Sequence, residues 1–259
     1  MELAAMRAAH RVITSMQFEA VQPERGYANR TLYVNLSDGR IEAKPVTQYM
    51  RDVFTGGKGF DLYLMWHAIP GPIAWDDPRN EICIAAGPLG GTPAFSGSGK
   101  SIVTSISPTT GSVMDSNVGG HFGPLLKFAG WDALEIQGKA NEDVILYVDG
   151  QEDGCTVTLE TAPHEAANSY ELAEQLHRMY AASSDELQSI SVVSAGQGAE
   201  HTLLGCLNFS LWDWKRGVPR LKQAGRGGLG TVFRNKKLKA LVAKALRDRP
   251  AWHMSVESP

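Results

Sequence analysis

Residues 94–108 read AFSGSGKSIVTSISP and decide between two classes of fold. The first half nearly fits the GxxxxGK[ST] pattern of phosphate-binding loops, with alanine at the first glycine. Such a loop requires a helix directly after its Lys-Ser pair, because the first amide groups of that helix hold the phosphates. The residues after Lys100 are instead β-branched and end at Pro108, which predicts a strand. The stretch therefore argues against a nucleotide-hydrolysing fold and indicates a glycine-rich turn that enters a strand.

A second glycine-rich motif, GRGGLG at residues 225–230, fits the GxGxxG pattern of dinucleotide-binding folds. That fingerprint requires a buried strand before the motif and an acidic residue about twenty positions after it. Residues 220–224 are polar and basic, and Asp248 lies among arginines and a proline. We therefore do not expect a Rossmann-type site.

The hydrophobic pattern outside these motifs is that of a strand-rich domain. Leu32, Val34 and Leu36 alternate and are followed by Asp38-Gly39, which predicts a β-hairpin. Helices are predicted at residues 49–54, 60–69, 119–128 and 169–180, and further strands at 81–86, 101–107, 133–137, 144–148, 156–159, 189–194, 202–208 and 238–242. Because strands outnumber helices without a regular βαβ rhythm, we expect an α+β fold.

Three segments are expected along the chain. Good helix formers near the start predict an N-terminal helical extension over residues 1–25. The main domain is expected over residues 26–243, and residues 244–259 are expected to be a tail or the start of a second domain that is missing.

Composition and cysteine spacing limit the possible functions. The 259 residues are 43% hydrophobic, enough for a core, and a net charge of −3 gives no general attraction to nucleic acid or to an anionic membrane. Cys83, Cys155 and Cys206 are odd in number and far apart, without a CxxC motif. We therefore expect neither a disulfide framework nor a self-contained zinc or iron–sulfur site, and a cytoplasmic location. No apolar run is long enough to span a membrane.

Four glycine clusters each carry a basic residue or a histidine, at residues 56–59, 97–100, 119–121 and 225–228. Loops of this kind bring backbone amide groups close to a ligand while the cation neutralises its charge. Any one cluster could be a tight turn between strands, but four together indicate an extended anionic cofactor. His121 is a candidate proton donor, although a structural histidine is the simpler interpretation.

Six motifs occur in the order found in one known family. They are LYVNLSDG at 32–39, TGGKGF at 55–60, AAGPLGGT at 85–92, SNVGGHFG at 116–123, LKFAGWDA at 126–133 and AGRGGLG at 224–230. Over about residues 26–242 the chain resembles the first, pterin-binding domain of the tungsten-containing aldehyde ferredoxin oxidoreductases, whose full chains are more than twice as long. The resemblance implies a β-rich, saddle-like domain that holds tungsten on two pterins (tungstopterin), with magnesium bridging the pterin phosphates.

The resemblance also implies roles for individual residues. Asn117 and Gln223 stand where backbone carbonyls bind the magnesium. Lys100 takes the cationic position between the pterin and an iron–sulfur cluster, and Lys222 a second cationic pterin contact; both are usually arginine in the aldehyde enzymes. The full set of cofactor-binding candidates is Lys58, Gly97, Gly99, Lys100, Asn117, Gly119, Gly120, Lys222, Gln223, Arg226 and Gly227.

By the same resemblance, the chain would be the cofactor-binding part of a tungsten or molybdenum oxidoreductase that oxidises aldehydes to carboxylic acids and passes electrons to ferredoxin. A cluster-bearing partner or missing C-terminal domains would supply the [4Fe–4S] cluster and the catalytic residues, so we expect no turnover by this chain alone. Lysine at positions 58, 100 and 222 is similar to the class II benzoyl-CoA reductase branch, which is one alternative. A non-catalytic truncated or assembly module is another. The isolated domain is expected to expose apolar surface and to self-associate.

Overall fold

The computed structural model describes residues 3–162, 166 and 168–246. The helices in this part of the chain are α1 (Leu3–Ala8), α2 (Gln48–Phe54), α3 (Lys58–Ala68), α4 (Phe122–Phe128), α5 (Ser169–Tyr180) and α6 (Leu229–Asn235). Short 3-10 helices occupy Asp185–Ser189 and Gln197–Glu200. The strands are β1 (Val12–Glu19), β2 (Arg30–Asn35), β3 (Arg40–Pro45), β4 (Ile82–Ala85), β5 (Ser101–Ile106), β6 (Val113–Val118), β7 (Ala133–Gln137), β8 (Val144–Gln151), β9 (Gly154–Thr161), β10 (Ile190–Ser194), β11 (Leu207–Asp213), β12 (Val218–Ala224) and β13 (Leu238–Ala245).

These strands form two mixed sheets, which confirms the α+β prediction. The six-stranded sheet has the order β3-β2-β7-β4-β5-β6, and the seven-stranded sheet has the order β1-β9-β8-β13-β10-β11-β12. Pairing is antiparallel except between β2 and β7 and between β8 and β13. β6 and β12 are therefore each the last strand of a sheet, with one side open to other contacts.

The main core lies between the two sheets. It combines Ile84 and Leu134 from the six-stranded sheet with Leu146 and Phe209 from the seven-stranded sheet. α4 packs against β10 and β13, and its Phe122 ring meets the ring of Phe209 edge to face at 5.5 Å. Alternate residues on the same strands face outward, as the two-residue period of a strand requires.

Helices cover the outer face of each sheet. α3 packs on β4 and β5, where its Phe60 joins a cluster with Cys83 and Ala85. α5 packs on β10 and β12, and a third cluster forms there around Leu176 and Val192. The layers are thus helices, six-stranded sheet, core, seven-stranded sheet and helix. None of the helices in the described ranges is long and apolar enough to cross a membrane.

The prediction of a helical extension over residues 1–25 is wrong beyond α1. Val12–Glu19 form β1, which pairs antiparallel with β9 at the edge of the seven-stranded sheet. Alanine-rich sequence supports the short helix, but the β-branched Val12, Ile13 and Thr14 that follow favour a strand. β13 runs through Ala245, and the expected tail from residue 247 onward lies outside the described residues.

Three elements near the glycine motifs were not predicted: β6, β12 and α6. β6 (VMDSNV) and β12 (VPRLKQA) are edge strands that mix polar and apolar residues, most of them exposed or half-buried, so neither has a clear apolar alternation. β11 lies at Leu207–Asp213 rather than 202–208 because Gly205 packs in a loop against Thr231. The structure agrees with the interpretation of both glycine motifs. A strand, β5, and not a helix directly follows Lys100, and the strand before GRGGLG is an antiparallel edge strand.

Candidate functional site

The two sheets meet at their edge strands β6 and β12, through the loop that follows β12. In this loop the backbone N–H of Arg226 donates to Ser116 Oγ at 3.3 Å, and Arg226 Nε donates to the Asp115 carbonyl oxygen at 2.8 Å. On the face of β6 that carries Ser116, a Cβ atom on Gly227, whose φ is +77°, would lie 2.4 Å from Met114 Cγ. Glycine is therefore required where the loop crosses from one sheet to the other.

Asp115 pairs with two of the predicted cations at this junction. Its carboxylate oxygens lie 2.8 Å from Lys58 Nζ and 2.9 Å from Arg226 Nη2. The hydrogen bond from Lys58 is the main reason that the pKa of Asp115 is lowered, and the charge of Arg226 adds to it. The Asp115 side chain is 19% exposed, whereas those of Lys58 and Arg226 are 55% and 61% exposed. Asp115 thus fixes one cation from α3 and one from the loop after β12 and leaves both accessible.

Sequence reasoning missed Asp115. It is one acidic residue in a polar edge strand and belongs to no motif, so its position between the two cations becomes evident only from the tertiary structure. The local signal that existed was the proximity of the strand to the SNVGGHFG motif, which starts one residue later.

The glycine loops at residues 97–100 and 119–120 touch each other at the end of β6. A Cβ atom on Gly99 would lie 2.5 Å from the carbonyl oxygen of Gly120, so the two backbones can approach only because residue 99 is glycine. A Cβ atom on Gly119 would lie 3.8 Å from Lys100 Nζ, and one on Gly120 would lie 3.9 Å from Lys222 Cγ. The loops therefore bring Lys100 and Lys222 to the same region.

The four cations differ in how their charges are compensated. In the described part of the chain, Lys58 and Arg226 share Asp115, but neither Lys100 nor Lys222 has an acidic partner. Both of these lysines are exposed. Because the surface holds more positive than negative charge, it favours an anionic ligand.

Asn117 and Gln223 lie on the two edge strands themselves. Asn117 pairs with Ile102 in β6, and Gln223 pairs with Asn208 in β12. An edge strand leaves part of its backbone carbonyls without a strand partner, so these strands can offer oxygen ligands to a cation. Their assignment to magnesium stays a prediction.

His121 follows the glycine loop at residues 119–120 and immediately precedes α4. Burial lowers the pKa of His177 on α5 to about 4, and the charge of His121 contributes in the same direction. A role in proton donation stays a prediction.

The junction fits the cofactor that the sequence implies. Glycine at position 119 keeps the space beside the Lys100 ammonium open, which suits a ligand that carries phosphate groups. In the described residues no group of three or more His, Cys, Asp or Glu side chains is placed to hold a metal ion. Cys83 and Cys155 are buried in β4 and β9, and Cys206 is exposed just before β11. The donors on this face are thus amide groups, carbonyl groups and cations.

An apolar groove of about 620 Å³ lies along α3 beside β6. It is lined by Leu62, Met65, Trp66, Ile69, Pro72 and Val113, among others, and the Trp66 side chain is 83% exposed. The structure thus has an exposed apolar surface of the kind expected for this domain. Self-association of the isolated chain stays a prediction.

Fold and site together define a β-rich α+β domain with a glycine-lined, cationic junction between two sheets. Residues 31–245 match the sequence model described as the N-terminal domain of aldehyde ferredoxin oxidoreductase. The chain is 32% identical over 219 residues to the tungsten-containing aldehyde ferredoxin oxidoreductase of Pyrococcus horikoshii, covering 85% of this chain and 33% of that protein. It is 31% identical over 225 residues to the tungsten-containing aldehyde ferredoxin oxidoreductase of Pyrococcus furiosus, covering 87% and 34%. The chain therefore belongs to the aldehyde ferredoxin oxidoreductase family.

More distant matches agree with this assignment. The aliphatic sulfonate oxidoreductase WOR-like subunit of Pyrococcus furiosus is 27% identical over 235 residues. Among solved structures, the active site complex BamBC of benzoyl coenzyme A reductase with 1,5-dienoyl-CoA matches with a TM-score of 0.71 and 25% identity, covering 90% of this chain and 32% of that chain. The predicted family and fold class are confirmed. The chain spans about a third of the length of the curated relatives that it matches.

Proposed function

We propose that this chain is the pterin-binding part of a tungsten or molybdenum iron–sulfur oxidoreductase, which oxidises aldehydes to carboxylic acids with ferredoxin as electron acceptor. The observation that carries the proposal is the grouping of four cations at the sheet junction, where Lys100 and Lys222 lie beside two touching glycine loops and Lys58 and Arg226 share Asp115. The tungsten-containing relatives support the cofactor.

The residues of this chain would bind and orient the cofactor. Lys100 and Lys222 would neutralise the pterin phosphates, while Gly97, Gly119 and Gly120 leave room for close backbone approach. Asn117 and Gln223 would offer backbone carbonyl oxygens to magnesium. When bound, the tungsten–pterin group supplies the two-electron redox chemistry.

Other parts of the enzyme would come from outside the described residues. A cluster-bearing partner polypeptide or further domains would supply the [4Fe–4S] cluster, the substrate channel and the residues that move protons. Lysine at positions 100 and 222 keeps the positive charge but lacks the planar fork of arginine, so each would contact a phosphate as a point charge.

The test is metal and pterin content of the tagged protein, purified anaerobically from its native host with whatever co-purifies. Stoichiometric tungsten or molybdenum, iron and a cysteine-rich companion would support an enzyme, whereas a metal-free chain without companion would indicate a non-catalytic module. A Lys100→Ala, Lys222→Ala double variant should lose cofactor while the cofactor-free chain keeps its stability, because both side chains are exposed and lack acidic partners. Lys215→Ala, at the far end of the β11–β12 hairpin, is the matched control.

A second candidate is the cofactor domain of an enzyme similar to class II benzoyl-CoA reductase. The structural match to BamBC and lysine at positions 58, 100 and 222 favour it. The same co-purified complex distinguishes the two functions. Aldehyde-dependent reduction of an artificial acceptor supports the first, and turnover of a dienoyl-CoA or benzoyl-CoA supports the second.

A further inference from the structure

Acidic and hydroxyl side chains cross the outer face of the six-stranded sheet beneath α3. Strand register places Glu135 of β7 opposite Cys83 of β4, Cys83 opposite Thr104 of β5, and Thr104 opposite Asp115 of β6. From α3, Asp61 reaches this row and accepts a hydrogen bond from Thr104 Oγ1 at 2.9 Å. α3 is thus tied through a carboxyl group to β5, the strand next to the edge strand β6.

Three carboxyl groups are buried here, and their surroundings differ. Glu135 accepts hydrogen bonds from Lys44 Nζ at 2.6 Å and from the Thr31 hydroxyl, so its charge is compensated. Asp61 and Glu81 are fully buried, and in the described residues neither has a cation within 4.0 Å. Oδ1 of Asp61 and Oε1 of Glu81 have no hydrogen-bond partner there. A carboxylate in this environment is costly, whereas a protonated carboxyl group is not.

Charged groups on every neighbouring element act on this pair. Burial is the largest cause of the raised pKa of Glu81, about 7; the charge of Glu135 raises it further, and Lys44 and Lys236 lower it. Burial also raises the pKa of Asp61 well above its usual range, with the charges of Glu81, Asp115 and Glu135 in the same direction and the Thr104 hydrogen bond against it.

Neither Cys83 nor Lys236 forms an ion pair with Asp61 or Glu81, so the two carboxyl groups still need protons to be neutral. Cys83 donates to Glu81 Oε2 at 3.3 Å, and burial raises the pKa of this thiol, so Cys83 stays neutral. Lys236 Nζ donates to the carbonyl oxygens of Asn80 and Gly138 rather than to a carboxylate, and burial lowers its pKa to about 8.

We propose that Asp61 and Glu81 are a proton-holding pair that locks α3 onto the six-stranded sheet, and that losing these protons loosens α3. Lys58, the first residue of α3, precedes Asp61 by about one helical turn and forms the ion pair with Asp115 at the candidate site. The protonation state of Asp61 and Glu81 therefore controls how firmly Lys58 is held at the candidate site. The inference concerns α3 itself and does not depend on the proposed function.

The direction with pH follows from proton linkage. When α3 opens, Glu81 returns toward its ordinary pKa of 4.5, whereas in the closed state its pKa is about 7. Between these values Glu81 holds one proton more in the closed state than in the open state, so Glu81 by itself makes opening about tenfold more favourable per pH unit. Below 4.5 the contribution of Glu81 is constant and above 7 it is complete. The pKa of Asp61 is raised in the same direction, so Asp61 adds a further loss of protection as the pH rises.

Hydrogen exchange of α3 tests the proposal. We expect the protection factor of residues 58–68, corrected for intrinsic exchange, to fall at least about tenfold per unit between pH 5 and 7 in the purified protein, and to fall less steeply in Glu81→Gln. Residues 169–180 of α5 and the exposed variant Glu174→Gln are the controls. A flat α3 profile, an equal loss in α5, or the same slope in Glu81→Gln would each overturn the proposal.

A measurement on the unsubstituted protein covers the case in which Glu81→Gln does not fold. Infrared difference spectra between pH 5 and pH 8.5 should contain the C=O band of a buried protonated carboxyl group that weakens as the pH rises. Its absence would overturn the proposal without any variant.

Discussion

Replacing Asp115 by asparagine removes the charge between Lys58 and Arg226 and keeps the shape of the side chain. The Arg226 Nε bond to the backbone carbonyl of residue 115 survives, because it does not involve the side chain. Both partner cations are more than half exposed, so each ion pair contributes about 0.2–1 kcal/mol. We expect a loss of about 1 kcal/mol in the free energy of unfolding, which lowers Tm by about 2–4 °C in a chain of this size.

The effect on the cofactor should exceed the effect on stability. Without the carboxylate, Lys58 and Arg226 repel each other, Lys58 loses its ion-pair partner, and Arg226 is held only through its Nε bond to the backbone. Misplacing one charge-assisted hydrogen bond costs about 1.5 kcal/mol, so the cofactor Kd should rise about tenfold. The assay is tungsten and pterin per polypeptide after dialysis, next to thermal unfolding followed by circular dichroism.

Asp213→Asn is the matched control for this variant. Asp213 also lies near two arginines, with Arg216 Nη1 at 2.7 Å and Arg220 Nη1 at 3.9 Å, but at the far end of the β11–β12 hairpin. It should leave cofactor content unchanged. Unchanged cofactor content in Asp115→Asn, or an equal loss in Asp213→Asn, would refute the reasoning.

Two further substitutions test the loop contact and the N-terminal attachment. Gly99→Ala places a Cβ atom 2.5 Å from the Gly120 carbonyl oxygen, so the free energy of unfolding should fall by about 1–3 kcal/mol and bound cofactor should be lost. The Tm is measured by calorimetry, and a Tm equal to that of the unsubstituted protein would contradict the close contact. Glu160→Gln removes the partner of Arg7 and His10 and should cost about 2 kcal/mol. Burial alone would raise the pKa of Glu160, but His10 and Arg7 lower it to about 2, so this contribution is present above pH 4.5 and is lost as pH falls toward 2. Denaturation of the unsubstituted protein and of Glu160→Gln at pH 7 and pH 3 measures this contribution. If the two proteins differed in the free energy of unfolding by a similar amount at both pH values, proton linkage at Glu160 would be contradicted.

The sequence indicates the close backbone approach of the glycine loops, but it does not indicate the side-chain partners at the junction. Gly99 and Gly120 lie in loops between regular elements, where composition alone signals close backbone approach. Asp115 gives no such signal, because its role depends on β6 and β12 being neighbouring edges of different sheets. The family resemblance, rather than periodicity, singles out Lys222, since polar and apolar residues do not alternate clearly along β12.

The buried carboxyl groups were missed for a different physical reason. Glu81 begins the predicted strand at 81–86 and Asp61 lies within the predicted helix at 60–69, and both residue types are normally placed in solvent. Their burial follows from the way α3 crosses β4 and β5, which no local pattern encodes. By contrast, alternating residues such as Leu32 and Val34 are buried as predicted, because one face of a strand packs on the core.

The charge distribution of the junction implies that cofactor binding and domain stability are linked. Lys100 and Lys222 lie beside touching glycine loops, and in the described chain no acidic side chain compensates them, so their mutual repulsion opposes closure of the junction. An anionic ligand would remove that repulsion only in the folded state, where the loops are together. Binding to the folded state alone stabilises it by about 2.7 kcal/mol when the ligand is present at a hundred times its Kd. On the proposed function, cofactor loss would therefore loosen the contact between the two sheets first, while the apolar core shared by their inner faces stays intact.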